Sequence, residues 1–160
     1  GINPLAKADI GVVLGGEGIP TCLTALQVGK VMAGIYPNWD AAAYADWCRR
    51  FDLPEKKRYA DYSTGMKMKQ CLAVALSHHP KLLLLDEATN GLDPEARQRI
   101  IGVLKTLPTA RIIISHDWDF LAETSSEYLT VEGQHFTDAA PSHAHAHMHV
   151  HPLGNKPHEH

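Results

Sequence analysis

The sequence predicts an α/β fold, a parallel sheet flanked by helices, with a helical subdomain inserted at about residues 20–78. Three observations carry this. Ile10–Leu14 (IGVVL), Leu82–Leu85 and Arg111–Ser115 (RIIIS) are apolar runs without alternation. Such runs are strands covered on both faces, as in parallel sheets. Between the first two lies a stretch of helical spacing, and after residue 80 strand and helix alternate.

Taken in order, Ile10–Leu14 closes on Gly15-Gly16, a strand running into a loop. Leu23, Leu26, Val28, Val31, Met32 and Ile35 place a helix over Thr24–Tyr36, stopped by Pro37. Asn38 is the expected cap of a second helix reaching Phe51, with Trp39, Ala43, Tyr44, Trp47 and Cys48 as its apolar stripe. Ser63 opens a third helix, roughly Gly65–Ser77, and Pro80 ends it. Asp93-Pro94-Glu95 supplies a cap, a first-turn proline and a first-turn acid for a helix to Leu107. Asp117–Thr124 is a short helix. Tyr128–Val131 and Gln134–Phe136 read as a hairpin turning at Glu132-Gly133. The expected division is a domain at 1–137 and a His-rich flexible tail at 138–160, because from Ala139 only Val150 and Leu153 are larger aliphatics.

The composition sets bounds. A chain of 160 residues, 44% hydrophobic, holds one domain with a real core. No apolar run approaches the roughly 18 residues needed to span a bilayer. Fifteen basic against eighteen acidic side chains argue against a nucleic-acid partner. Cys22, Cys48 and Cys71 are odd in number and lack a CxxC spacing, so they read as small buried hydrophobes in a reducing compartment.

The candidate chemistry begins at Asp86-Glu87. A buried strand ending in two carboxylates delivers both to the carboxyl edge of a parallel sheet, where ligands bind in such folds. One carboxylate suits the water shell of Mg²⁺, and the other suits orienting a water. Ser63-Thr64-Gly65 starts a helix with Lys67 and Lys69 in its first turns, an arrangement that suits an anion. Asn90-Gly91-Leu92-Asp93 turns the chain after the acidic pair. His116 follows the next buried strand and so emerges on the same edge.

These residues resemble the ATP-binding-cassette (ABC) ATPases, a P-loop-NTPase-like family. Tyr62–Lys67 is similar to a variant of the LSGGQ signature, Leu82–Glu87 to the Walker B strand, Gly91-Leu92-Asp93 to the D-loop and Ser115-His116-Asp117 to the H-switch. The resemblance implies that Asp86 binds Mg²⁺ through water, Glu87 activates the hydrolytic water and His116 contacts the γ-phosphate. It further implies that Ser63, Thr64 and Gly65 meet ATP held by a second subunit in a head-to-tail dimer, coupled through Asp93. The implied cofactors are ATP and Mg²⁺. The implied partners are a second ATPase subunit and a transmembrane permease, at the cytoplasmic face of the membrane.

The departures are specific. No Gly-Lys-Ser or Gly-Lys-Thr occurs, so the family's phosphate loop is absent, and the reading expects a partial ABC ATPase domain that is inactive alone. The expected explanation is truncation. Gly15-Gly16-Glu17 stands where the family carries a glutamine, with Glu17 as a partial replacement in contacting Mg²⁺ or water. Thr64 and Met66 depart from the signature's second Gly and final Gln. The stretch from the signature to Walker B, with Tyr36–Asp40 before it, is similar to ATPases of ABC-2-type exporters. Leu104–Glu123 is more similar to cobalt/nickel-uptake ATPases.

Seven of the eleven histidines fall in the last 18 residues. His143, His145, His147, His149 and His151 alternate, which in an extended chain puts them on one side and suits Ni²⁺, Co²⁺ or Zn²⁺. The tail therefore favours metal uptake and the middle favours small-molecule export. The alternative in another class is a non-enzymatic metal-binding or degenerate fragment. A ribosome- or DNA-acting relative is disfavoured by Asn90-Gly91-Leu92-Asp93, where translation-type relatives usually carry Asn-His-Leu-Asp, and by the lack of heptad arms.

Overall fold

The structure, a computed structural model, describes residues 8–132 and 135–138. The chain divides into two units at Ser125/Ser126. In the first, β1 (Ile10–Leu14), β2 (Leu82–Asp86) and β3 (Ala110–Ile114) form a parallel sheet in the order β1-β2-β3. Leu14, Asp86 and Ile114 stand in register, so the three strands end level. The excursion from β1 to β2 carries α1 (Ala25–Ile35), α2 (Ala41–Arg50), a 3₁₀ turn at Tyr59–Asp61 and α3 (Thr64–Leu76). The return from β2 to β3 carries α4 (Pro94–Thr106), and α5 (Trp118–Thr124) follows β3.

Caps decide where the helices begin. Thr24 and Gln27 form a reciprocal capping box on α1. Ser63, Asp93 and Asp117 each accept a backbone N–H at the start of α3, α4 and α5. The cap of α2 is Asp40, whose Oδ1 accepts from the Ala43 N–H at 2.8 Å, and not Asn38. The Asn38 amide is committed elsewhere, donating to the carbonyls of Ala8 and His78.

Helix α3 is the hub. Leu72 and Ala73 are fully buried, and the helix packs against β1, α1, α2 and α4. Buried all round, it has little amphipathic pattern. Its one polar interior residue, Gln70, donates to the Tyr44 hydroxyl at 2.6 Å, which donates to the Ala25 carbonyl at 2.7 Å. Burial pushes the Tyr44 phenol far above its usual range. His78 is fully buried and stacked on Tyr36, and burial holds its imidazole below the ordinary histidine value.

One face of the sheet is covered, and this corrects the expectation of two. Val13, Leu83 and Leu85 are at most 1% exposed, and Gly11 leaves no room for a Cβ beneath the Ala75 carbonyl. On the opposite face Val12, Leu14, Ile112 and Ile114 are about half exposed. An apolar run shows that both faces exclude polar groups, not that the described residues supply cover for both. Cys48 and Cys71 are buried, as expected, whereas Cys22 is exposed in the turn before α1; all three are free.

The second unit holds β4 (Leu129–Glu132) paired antiparallel with β5 (His135–Asp138), Glu132 opposite His135. Glu132 is thus inside a strand rather than in the turn. The candidate metal ligands His143–His151 lie outside the described residues. Among the described residues no helix is long and apolar enough to cross a membrane, and no group of three or more potential ligands gathers for a metal ion.

Candidate functional site

Because the three strands end level, the residues that follow them meet at one edge. The Gly15 N–H donates to the Asp86 carbonyl at 3.1 Å, and the Glu87 N–H donates to the Ile114 carbonyl at 2.9 Å. These bonds pull the loops after β1 and β3 toward the end of β2. Gly15 and Gly16, both at positive φ, then reverse the chain. Glu17 follows with its carboxylate exposed and its N–H on the Leu14 carbonyl, so it shares this edge without a bond to the acidic pair.

Glu87 leaves the strand with φ 49°, a left-handed conformation that costs a non-glycine residue about 1 kcal/mol. Two backbone bonds hold it there: its N–H to Ile114 and its carbonyl from the Asn90 N–H at 3.2 Å. The carboxylate comes to 3.7 Å from the His116 Nε2, with the His116 ring almost wholly exposed. Asp86, Glu87 and His116 are therefore gathered, with His116 reaching into open space.

A second group assembles at the start of α3. Ser63 Oγ accepts the Met66 N–H at 3.2 Å. A Cβ on Gly65 would stand 2.7 Å from the Ala96 Cβ and 3.6 Å from Asp93 Oδ2, so only glycine lets α3 and α4 approach this closely. Gly91, at φ 69°, lies against Thr64. The two helix starts enclose a small polar cleft of about 110 Å³ lined by Ser63, Gly65, Lys69, Asp93, Glu95 and Arg99 among others. Of the two lysines near this helix start, Lys69 lines the cleft, and burial lowers its ammonium below the usual value. Lys67 instead lies over the Tyr59 ring. Two helix N-termini and two cations thus meet in this cleft beside the carboxylates of Asp93 and Glu95.

The sequence reading missed Arg99 and Arg97. Arg99 had a signal, Glu95 four residues before it, with which it pairs at 3.4 Å. Arg97 had none. Its guanidinium bonds both oxygens of Asp117 at 3.2 Å and Glu123 at 3.4 Å, and lies 5.9 Å from the Phe120 ring centre. Burial alone would raise the Asp117 carboxyl. The bonds from Arg97 and from the Phe120 N–H outweigh it and hold the group below the usual carboxylate value.

Comparison with known proteins places the chain in a family. The chain is 56% identical over 70 residues to a putative ABC transporter ATP-binding protein of Nitratidesulfovibrio vulgaris, covering 44% of this chain and 26% of that protein. It is 32% identical over 94 residues to the ABC transporter ATP-binding protein YtrB of Bacillus subtilis, covering 56% and 32%. The chain thus spans about a quarter to a third of the length of these relatives. Its fold matches the ATP-binding cassette MJ0796, solved as a dimer in a post-hydrolysis state with ADP and Pi (TM-score 0.65, 20% identity, 76% of this chain and 58% of that one). It also matches a bacterial Atm1-family ABC exporter with ATP bound (TM-score 0.67, 20% identity, 82% and 25%). The family model described as ABC transporter matches residues 6–90, more than half of the chain, and on that match the chain belongs to the ABC transporter family.

Proposed function

We propose that this chain is the signature and Walker B portion of an ATP-binding subunit that powers a membrane transporter. The carrying observation is the level ending of β2 and β3, which sets Glu87 and His116 3.7 Å apart on one edge. The donor set fits a nucleotide and its metal: hard carboxylate oxygens at Asp86 suit Mg²⁺, and the Lys69/Arg99 cleft suits phosphate oxygens. When bound, Mg²⁺-ATP supplies the phosphoryl group and the charge neutralisation that its transfer needs. Within this chain, Asp86 holds the metal's water shell, Glu87 takes the proton of the attacking water, and His116 donates to a terminal phosphate oxygen. Glu17, on the same edge, orients water. Ser63, Thr64 and Gly65 face ATP held by a second subunit, and Asp93 couples the two sites. The dimer and a permease, at the cytoplasmic face of the membrane, complete the assembly.

The absent phosphate loop supplies the experiment. Without its backbone N–H groups and lysine, the described residues at the Asp86–Glu87 edge offer no cradle for the β- and γ-phosphates. Steady-state ATP hydrolysis by the purified chain is expected to be negligible; turnover on the order of 1 s⁻¹ would overturn this account of the site.

Relatives of this chain include proteins named for methionine and glutathione import, and the cargo is open between these classes and a transition metal. The tail is what supports the metal. Ligation needs neutral imidazole, which titrates near ~6.5. Calorimetry is expected to show Ni²⁺, Co²⁺ or Zn²⁺ binding at pH 7.5 that is lost near pH 5 and lost on truncation at Asp138. Equal binding by both forms would remove the tail from the account.

A further inference from the structure

The backbone and the side chain of Arg97 reach two different parts of the proposed site. Its N–H donates to the Asp93 carbonyl at 3.0 Å, closing the first turn of α4 on the D-loop residue. Its guanidinium grips both oxygens of Asp117, the residue after His116. Asp117 has little freedom left: Oδ1 also accepts the Phe120 N–H at 2.9 Å, and its own N–H donates to Ser115 Oγ at 3.1 Å. Ser115 and Asp117 are thus tied together, and Asp117 to α4, while the His116 ring between them stays almost fully exposed. The third guanidinium bond, to Glu123, and the fully buried Phe120 under the fork fix α5 to the same anchor.

The same first turn of α4 is packed tightly against the start of α3. Ala96 abuts Gly65 of the signature with no room for a methyl group between them, and Gly91 faces Thr64. One helical turn thus carries both Ala96, against the signature, and Arg97. Packed elements of this kind shift as bodies rather than deform.

We propose that Arg97 is a positioning residue that transmits movement of the Asn90–Asp93 turn, where it meets the Ser63–Gly65 helix start, to His116. This rests on the reading of His116 as the phosphate-facing group and adds the means by which the signature side sets its position. A bidentate fork is what the task requires: two parallel bonds fix orientation as well as distance, and a lysine in its place would fix distance alone.

The test uses the intact chain without nucleotide, so its outcome is separate from whether His116 contacts ATP. Histidine-labelled NMR spectra follow the His116 ring while the D-loop is perturbed by Asp93→Ala. The ring resonances are expected to move on Asp93→Ala in the parent, to stay in place on the same change in an Arg97→Ala background, and to move by less than in the parent with Arg97→Lys. Amide spectra report whether each variant is folded; should Arg97→Ala unfold, the comparison of parent with Arg97→Lys decides alone. No response in the parent, or an equal response with and without the arginine fork, overturns the proposal.

Discussion

ATP turnover is expected to fall by about 10²–10⁴-fold on Glu87→Gln, the range for removing a general base, in a form of the chain joined to a segment that carries a Gly-x-x-Gly-x-Gly-Lys-Ser loop. The amide preserves shape but cannot take a proton, so ATP-bound dimers should accumulate as hydrolysis stops. The substitution should leave the fold intact, because the bonds that hold residue 87 at φ 49° are made by its backbone. Glu87→Gly separates the two properties of this position. Glycine adopts the left-handed conformation freely, which favours the folded state. Its greater freedom in the unfolded chain opposes that gain, so stability should change by no more than about 1 kcal/mol, while turnover is lost as with glutamine. Turnover assays and urea unfolding on both variants check this. Parent-like hydrolysis by Glu87→Gln would mean that another group activates the water.

A large loss of stability is expected at Phe120. It is fully buried, and α5 has only seven residues, too few to persist without tertiary packing. Phe120→Ala should cost about 3–5 kcal/mol. The melting temperature should drop on the order of 10 °C. Trp118, in the same helix but half exposed, serves as the comparison, and its replacement by Ala should cost within about 1 kcal/mol. Thermal melts of the two variants decide the matter: equal losses would show that α5 is not anchored through Phe120.

Much of the fold was legible because its strands and caps are local signals. Leu82–Leu85 and Arg111–Ser115 announce strands by composition, and Ser63 and Asp93 announce helix starts by side-chain chemistry. The failures share one cause, partners distant in sequence. Asn38 and Asp40 are both good caps, and the choice fell to Asp40 because carbonyls from Ala8 and His78 claim the Asn38 amide. Cys22 reads like the other two cysteines, yet it sits exposed in a turn that no element among the described residues covers. At the site, Asp86, Glu87 and His116 were legible because consecutive parallel strands must end on one edge. Arg97 was not, since its partners Asp117 and Glu123 reach it only after β3 has returned the chain to the sheet. The left-handed backbone of Glu87 was likewise invisible, because nothing in a Leu-Leu-Asp-Glu run marks it.

The most direct measurement is a crystal structure of the loop-completed Glu87→Gln protein with Mg²⁺ and ATP. The account predicts a dimer in which the γ-phosphate lies within hydrogen-bond reach, about 3 Å, of His116 Nε2 of one copy and Ser63 Oγ of the other. It also predicts Asp86 facing the metal through water. A nucleotide bound with neither His116 nor Ser63 at its γ-phosphate would contradict it.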